Sequence, residues 1–519
     1  MRFRRAAPGA LPSPPRSTRS RMIIAAIAGG ASVLSFAPFG WWPIQLFTLS
    51  ILFYQVLRAD SVKASAFIGW AFGFGWCLAG VHWLTIAISR FGGLPLPLAW
   101  IAIALLSLYM GLHCAAAMGG AAWLRKRWAL SLPAANLLVL PALWAVSEWT
   151  RGWLFTGFPW ASSGYAHNAT PLAGYAPVLG VFGIGWIVAI TAGALLLLMH
   201  PVRKPALALI AALWIGGWTL QWIDWTAPTG QPLTVRLVQA NIPLQTKFDP
   251  NHIGNTLQRY QEAVLAEPAD LIAIPETGIP LFPQQLPAGY LDVYGKFARK
   301  TGSAIVLGMP FADSPTRYAN SVMGLGPAVA KPYRYDKHHL VPFGEFIPLG
   351  FRWFTDMMHI PLGDQTRGPA LQPSFAVKDQ RVLPNICYEN NFGEEIAAQL
   401  GNGETAGSQA TILLNVSELA WYGESVAIPQ HLQISQMRTL ETGRPMLAAT
   451  NNGATVVIDG RGVVRASLPY YQAGVLKATV QGMTGDTPYI VLQNRLFFAL
   501  AAAALLAAWL LSRRRKANA

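Results

Sequence analysis

Glu276, Lys337 and Cys387 together supply what covalent acyl transfer needs. A thiol is a nucleophile, a carboxylate can take its proton, and an ammonium can stabilise the anion formed when sulfur adds to a carbonyl. Each residue alone is commonplace: a loop acid, a surface charge, a small buried side chain. Their settings are alike, however. Glu276 follows Leu-Ile-Ala-Ile-Pro, Lys337 stands within Tyr-Asp-Lys-His-His, and Cys387 follows Leu-Pro-Asn-Ile and precedes Tyr388 and Glu389. Each stands at the end of a predicted strand, and loops at strand ends, held by a rigid sheet, are where catalytic groups concentrate. The adjacent His338 and His339 have no carboxylate or cysteine at ligand spacing, so neither a metal nor another cofactor is expected.

The elements that must position these groups begin near residue 233. Strands are predicted at 234–241, 271–275, 304–310, 318–323, 328–335, 382–387, 411–416, 446–450, 454–459 and 462–467, and helices near 252–266, 288–301, 392–400 and 430–442. Strands alternating with helices, with hairpins among them, indicate an α/β or α+β layered sandwich over 233–480.

The rest of the chain is of another kind. Overall 53% of residues are hydrophobic and 12% charged, against about 25% charged in soluble domains. The deficit falls in 22–222, which also holds most of the 20 Trp, and in 489–511. A membrane span needs about 20 apolar residues. Seven spans are read in 22–222, at 22–37, 41–57, 65–88, 96–122, 130–149, 172–199 and 205–222, and an eighth at 489–511. The net charge of +15 is concentrated at the ends: Arg2, Arg4, Arg5, Arg16, Arg19 and Arg21, then Arg513, Arg514, Arg515 and Lys516. Basic clusters flanking spans set orientation and do not make a nucleic-acid surface. Alternate loops carry Arg58 and Lys63, then Arg125, Lys126 and Arg127, then Arg203 and Lys204, whereas the opposite loops offer Arg90 and Arg151. This asymmetry puts both termini in the cytoplasm and 223–488 outside it. Residues 1–21 read as a disordered basic arm and 512–519 as a basic tail. Glu148 and Arg151, three apart on one helix face, suit an ion pair at a helix end or a lipid-headgroup entrance. Cys77 and Cys114 lie in apolar spans, which leaves Cys387 as the one cysteine of 233–480.

Four longer runs carry a resemblance: YDKHHLVPFGEFIPL (335–349), ICYEN (386–390), GRPMLAATNNG (443–453) and FPWASSGY (158–165). With the Cys, Glu and Lys set they resemble the nitrilase superfamily, whose fold is an α-β-β-α sandwich, and with eight spans they resemble the apolipoprotein N-acyltransferase family. The resemblance covers nearly the whole chain after residue 22. It implies Cys387 as nucleophile, Glu276 as general base and Lys337 as oxyanion stabiliser. It also implies supporting or substrate-binding roles for Glu345, Tyr388, Glu389, Phe343 and Trp421. The chain departs from the family pattern at Phe248 (usually Trp), at Glu418-Leu419 (usually Asn-Asp) and at Ala448 (usually Arg).

The implied reaction moves an acyl chain from a phospholipid, typically phosphatidylethanolamine, through a thioester to the α-amino group of an S-diacylglyceryl cysteine. That is the last step of lipoprotein maturation in a bacterial inner membrane, with the catalytic domain periplasmic and the enzyme a monomer. Both substrates are held in the bilayer by acyl chains at about 0.8 kcal/mol per buried CH₂, so a thiol at the membrane surface spares their extraction. The competing reading is a membrane-tethered amidase or thioesterase in which water replaces the amine. A transporter is disfavoured by the scarcity of charge inside the spans, and a non-catalytic lipoprotein-binding protein by the complete Cys, Glu and Lys set.

Overall fold

The structure is a computed structural model that describes residues 17–314, 316–327, 331–352, 364–401 and 410–517. The expected arm at 1–16, the start of the strand expected at 328–335, and the last two residues of the tail lie outside them.

Helices occupy Thr18–Ala31, Pro43–Leu57, Val62–Gly80, Leu96–Arg127, Leu132–Arg151, Pro171–Leu195, Arg203–Leu220 and Arg495–Ala517. Among the described residues, five helices are long and apolar enough to cross a membrane: the third to the sixth and the last. Small residues let the bundle close up. A Cβ on Gly29 would lie 2.0 Å from the Phe72 carbonyl oxygen, and one on Gly75 would lie 2.1 Å from that of Ala26, so the first and third helices touch backbone to backbone.

Three expectations need correction. Thr18–Arg21 are not part of an arm: Ser17 caps the first helix by accepting Ser20 N–H, and Arg21 is buried on Gln55 Oε1 at 2.9 Å. The expected span at 65–88 stops at Gly80, because the chain then turns to bury Trp83, whose ring lies 4.5 Å from Tyr422 and 4.8 Å from Trp160. The last long helix starts at Arg495, not 489. Residues Pro488–Leu492 form a separate turn whose Tyr489 and Ile490 are buried, and Gln493 at φ +50° breaks the path. That helix runs on through the arginines of the expected tail to Ala517.

The remaining chain forms fourteen strands among the described residues: β1 (Ala227–Pro228), β2 (Leu233–Gln239), β3 (Leu271–Ala273), β4 (Ala304–Ser314), β5 (Arg317–Leu325), β6 (Tyr333–Asp336), β7 (Phe375–Val377), β8 (Gln380–Ile386), β9 (Ile412–Ser417), β10 (Met446–Thr450), β11 (Val456–Ile458), β12 (Val464–Ser467), β13 (Gly474–Val480) and β14 (Met483–Thr484). Two six-stranded sheets have the orders β13-β2-β3-β4-β5-β6 and β12-β11-β10-β9-β8-β7, and β1 pairs with β14. Read from β13 and from β7, both sheets run antiparallel, parallel, parallel, antiparallel, antiparallel.

Strand alternation builds the layers. Leu271 and Ala273 point inward to meet Val382, Ile412, Leu414 and Leu447 between the sheets. Ile272 and Ile274 point outward onto Leu257, Tyr260, Tyr294 and Ala298 of helices Pro250–Leu265 and Tyr290–Thr301. On the other side, Leu383, Leu413 and Met446 pack on Ile396 and Leu400 of helix Gly393–Gly401. The result is an α-β-β-α sandwich. Helix Ala427–Thr442 completes the layer over the second sheet and buries Ala427, Ile434 and Met437 in the helical bundle.

Candidate active site

Strands β3, β6, β8 and β9 end at one place. Glu276 lies three residues beyond β3, Lys337 and Cys387 directly follow β6 and β8, and Glu418 directly follows β9. Carboxyl ends of sheet strands are a usual location for ligand sites, because the loops there converge from several strands. All four residues are buried.

Lys337 Nζ lies 3.1 Å from Glu276 Oε1 and 2.8 Å from Glu345 Oε1. Asn320 on β5 donates to the same two oxygens at 2.7 and 3.1 Å. Glu276 Oε2 accepts the Glu418 main-chain N–H at 2.8 Å, and Glu345 Oε2 accepts that of Val341 at 2.9 Å. The Cys387 thiol lies beside Glu276, near enough for that carboxylate to act on it. Carboxylate and ammonium are thus in direct contact, with the thiol beside them.

The charges decide the resting protonation. The carboxyl groups of Glu276 and Glu345 share the one ammonium of Lys337. Burial, then Glu276, raise the Cys387 thiol well above its ordinary range, and Lys337 only partly offsets them. Burial works against the Lys337 ammonium, but Glu276 and Glu345 outweigh it and raise its pKa well above the usual lysine range. Burial also acts against ionised Glu276, yet Lys337, the Glu418 amide and Asn320 hold it below the usual carboxylate range. At neutral pH the site therefore holds a neutral thiol beside an ionised carboxylate.

The supporting residues divide into two groups. Glu345, Tyr388 and Glu389 are buried at the site. Glu389 accepts main-chain N–H groups of Ile386 (2.6 Å), His338 (2.6 Å) and His339 (3.2 Å) and the Tyr335 hydroxyl at 3.0 Å. It ties the loops that carry Lys337 and Cys387. Tyr388 donates to the Gly157 carbonyl at 2.8 Å, joining the Cys387 turn to the bundle. Phe343 and Trp421 are instead exposed: Phe343, at φ +60°, packs edge-on to Phe351, and Trp421 packs edge-on to Phe91 at 5.2 Å. The histidine pair is structural: His338 contacts the Gly368 carbonyl, and His339 bridges Glu395 and the Thr156 carbonyl. Glu148 and Arg151 approach to 3.8 Å, and Glu148 also accepts from Ser163.

Sequence reasoning missed Asn320, Lys247 and His431. Asn320 carried a faint signal, the one amide side chain of its strand, with Ser321 beside it. Lys247 and His431 carried none: the buried contacts of Lys247 to Glu276 and Glu418, and the burial of His431 near Cys387, arise only on folding.

A two-sheet sandwich with a thiol, carboxylate and ammonium at its strand ends defines the carbon-nitrogen hydrolase, or nitrilase, class. The family description "Carbon-nitrogen hydrolase" matches residues 234–489, and "Apolipoprotein N-acyltransferase N-terminal domain" matches 28–194. The chain belongs to the apolipoprotein N-acyltransferase family. It is 47% identical to the apolipoprotein N-acyltransferase of Ralstonia nicotianae, covering 96% of this chain and 94% of that one. It is 42% identical to that of Bordetella bronchiseptica, over 93% and 96%. An amidase of the nitrilase superfamily from Nesterenkonia AN1 aligns at 19% identity and a TM-score of 0.36, covering 52% of this chain and 97% of that one.

Proposed function

We propose that the enzyme transfers an acyl chain from a phospholipid, typically phosphatidylethanolamine, to the α-amino group of S-diacylglyceryl cysteine at an apolipoprotein N-terminus. The observation that carries this reading is the Glu276–Lys337 ion pair with Cys387 beside it, on the edge of the sandwich that rests on the apolar bundle. The aromatic contacts of Trp83 with Tyr422 and of Phe91 with Trp421 tie that edge to the bundle, which supports a site that two lipid-anchored substrates would reach by lateral diffusion.

In the first half-reaction Glu276 takes the thiol proton as Sγ adds to the ester carbonyl, and Lys337 holds the oxyanion. Collapse breaks the ester C–O bond, and the leaving lysophospholipid oxygen takes the proton from Glu276. A thioester on Cys387 remains. In the second, Glu276 deprotonates the incoming α-ammonium, of pKa about 8. The amine adds, the C–S bond breaks, and the sulfur recovers a proton from Glu276. A second proton leaves to water as the amide forms. Thioester to amide is downhill, so no ATP is required. The supporting roles fall to Glu345, Tyr388 and Glu389 within the site and to Phe343 and Trp421 at its rim. The setting is a bacterial inner membrane with the sandwich periplasmic, both termini cytoplasmic, and the enzyme monomeric.

Intact-mass measurement tests this. With phospholipid and no amine, the protein should gain one acyl group on Cys387, removable by hydroxylamine, and release one equivalent of lysophospholipid. A diacylglyceryl-cysteine peptide with a free amino group should discharge it, and its N-acetylated form should not. Continuous release of lysophospholipid and fatty acid without any acceptor would make the protein a lipid hydrolase instead.

A further inference from the structure

A second buried charge pair lies behind Glu276, and the chemistry above leaves it unused. Lys247 ends the single turn Leu244–Lys247 and is fully buried. Its ammonium contacts the Glu418 carboxylate and donates to the Glu276 main-chain carbonyl at 3.1 Å. Glu418, also buried, gives its own N–H to Glu276 Oε2, and its Oε1 accepts Asn451 Nδ2 and Ala420 N–H, each at 3.2 Å. Asn451, just beyond β10, is held in turn by the Ile242 N–H at 2.9 Å and the Ile242 carbonyl at 2.8 Å. The ends of β2, β3, β9 and β10 are tied together through these side chains.

A buried ion pair is a weak stabiliser, since desolvation offsets its attraction and apolar residues of similar volume often do as well. Its placement here has a specific correlate. Thr277, the residue after Glu276, is β-branched and sits at φ +47°, a conformation that β-branched residues adopt only when their surroundings enforce it. Lys247 holds the carbonyl of the Glu276–Thr277 peptide. Glu418 N–H holds one carboxylate oxygen of Glu276, while Asn320 and Lys337 hold the other.

We propose that Lys247 and Glu418 are positioning residues for Glu276: without touching substrate, the pair holds the strained turn and keeps the carboxylate aimed at the Cys387 thiol. This rests on the reading of Glu276 as general base. Glu418 is also a position at which the chain departs from the family pattern, so the anionic partner of Lys247 is supplied here by a residue type that pattern does not use.

The test is single-turnover acylation of Cys387 by phospholipid in the full-length protein, followed from about pH 5 to about pH 9. Wild type is compared with Lys247→Met, Glu418→Gln, Lys247→Met/Glu418→Gln and Glu276→Gln. The double variant leaves no buried charge unpaired, so a folded protein is available for the measurement. Misplacing a catalytic group by about 1 Å costs about 100-fold. The variants of the pair are therefore expected to lose about that much in rate with the phospholipid KM nearly unchanged. Their pH–rate profiles should take the shape of the Glu276→Gln profile, rising with pH as the thiol ionises without a base. A purely structural role would lower the melting temperature and leave the rate and profile of the folded fraction intact, and that result overturns the proposal. If Glu276→Gln itself acylates normally, the general-base reading falls. If Glu276→Gln is inactive and the pair variants behave as wild type, this inference alone falls.

Discussion

Cys387 sits at φ +51°, in the left-handed region, where β8 turns into the short helical segment Cys387–Asn391. A non-glycine residue persists there only when its neighbours hold it, and Glu389 supplies much of that hold through three main-chain amides and the Tyr335 hydroxyl. The proposed roles at the site predict that Cys387→Ala, Glu276→Gln and Lys337→Ala each lower turnover about 10³-fold or more, with double variants little worse than single ones because the groups act as a unit. Strictly additive losses in a turnover assay would contradict this. Glu389 makes a separate prediction. Burial raises its pKa to about 7, against the pull of the amides it accepts. A folded-state pKa above the unfolded one gives stability that is complete at pH below the unfolded value and is lost as pH rises through the folded value. Glu389→Gln turns an NH₂ toward N–H donors and should cost about 1–3 kcal/mol. The melting-temperature gap between wild type and Glu389→Gln should narrow from about pH 4.5 to about pH 7 and stay constant above that.

At the scale of elements, β4 runs so close to the Glu276 turn that only glycine fits at 308. A Cβ there would lie 2.1 Å from the Pro275 carbonyl oxygen and 2.9 Å from Glu276 Cα. Gly308→Ala should therefore push the base out of place and cost about 100-fold in acylation rate while the sandwich still folds. Circular dichroism beside the rate measurement separates displacement from unfolding. The same geometry governs the bundle, where Gly29 and Gly75 let the first and third helices touch. Gly75→Leu should lower stability in detergent by about 1–3 kcal/mol through overpacking, read as a fall in melting temperature.

At the scale of the whole molecule, helix Ala427–Thr442 belongs to both parts of the chain. Its Ile428 joins the apolar core of the sandwich, while Ala427, Ile434 and Met437 are buried in the bundle. Trp160 Nε1 donates to Gln430 Oε1 at 2.7 Å, and Val181 N–H donates to Glu441 Oε1 at 2.8 Å. The sandwich is therefore seated on the helices by packing and hydrogen bonds, and the thiol has a set position relative to the bundle. The loop charges predict which face of the membrane that is. A reporter that fluoresces only in the cytoplasm should be bright when fused after Lys516 and dark when fused within 300–480. The reverse pattern would put the thiol in the wrong compartment for its proposed substrates.

The amino-acid sequence by itself determined the two-part architecture, because apolar runs of span length and period-two strands are local patterns that survive without tertiary context. It also determined that Glu276, Lys337 and Cys387 end strands, since Glu276 and Cys387 follow apolar runs and Lys337 follows an aromatic, alternating one. Only the tertiary structure decided that those ends meet. Their contacts cross two sheets and join residues far apart in the chain, and no local pattern encodes that distance. The same holds for Lys247 and His431, whose buried partners lie 171 residues away for the Lys247–Glu418 contact. The helix break at Gly80 was illegible for a related reason: it follows from how the chain docks the sandwich, and the apolar run continues past it. The break at Gln493 was legible in the polar run Gln493-Asn494-Arg495. The charge balance at the thiol was tertiary too, because it depends on Glu345 sharing Lys337 with Glu276.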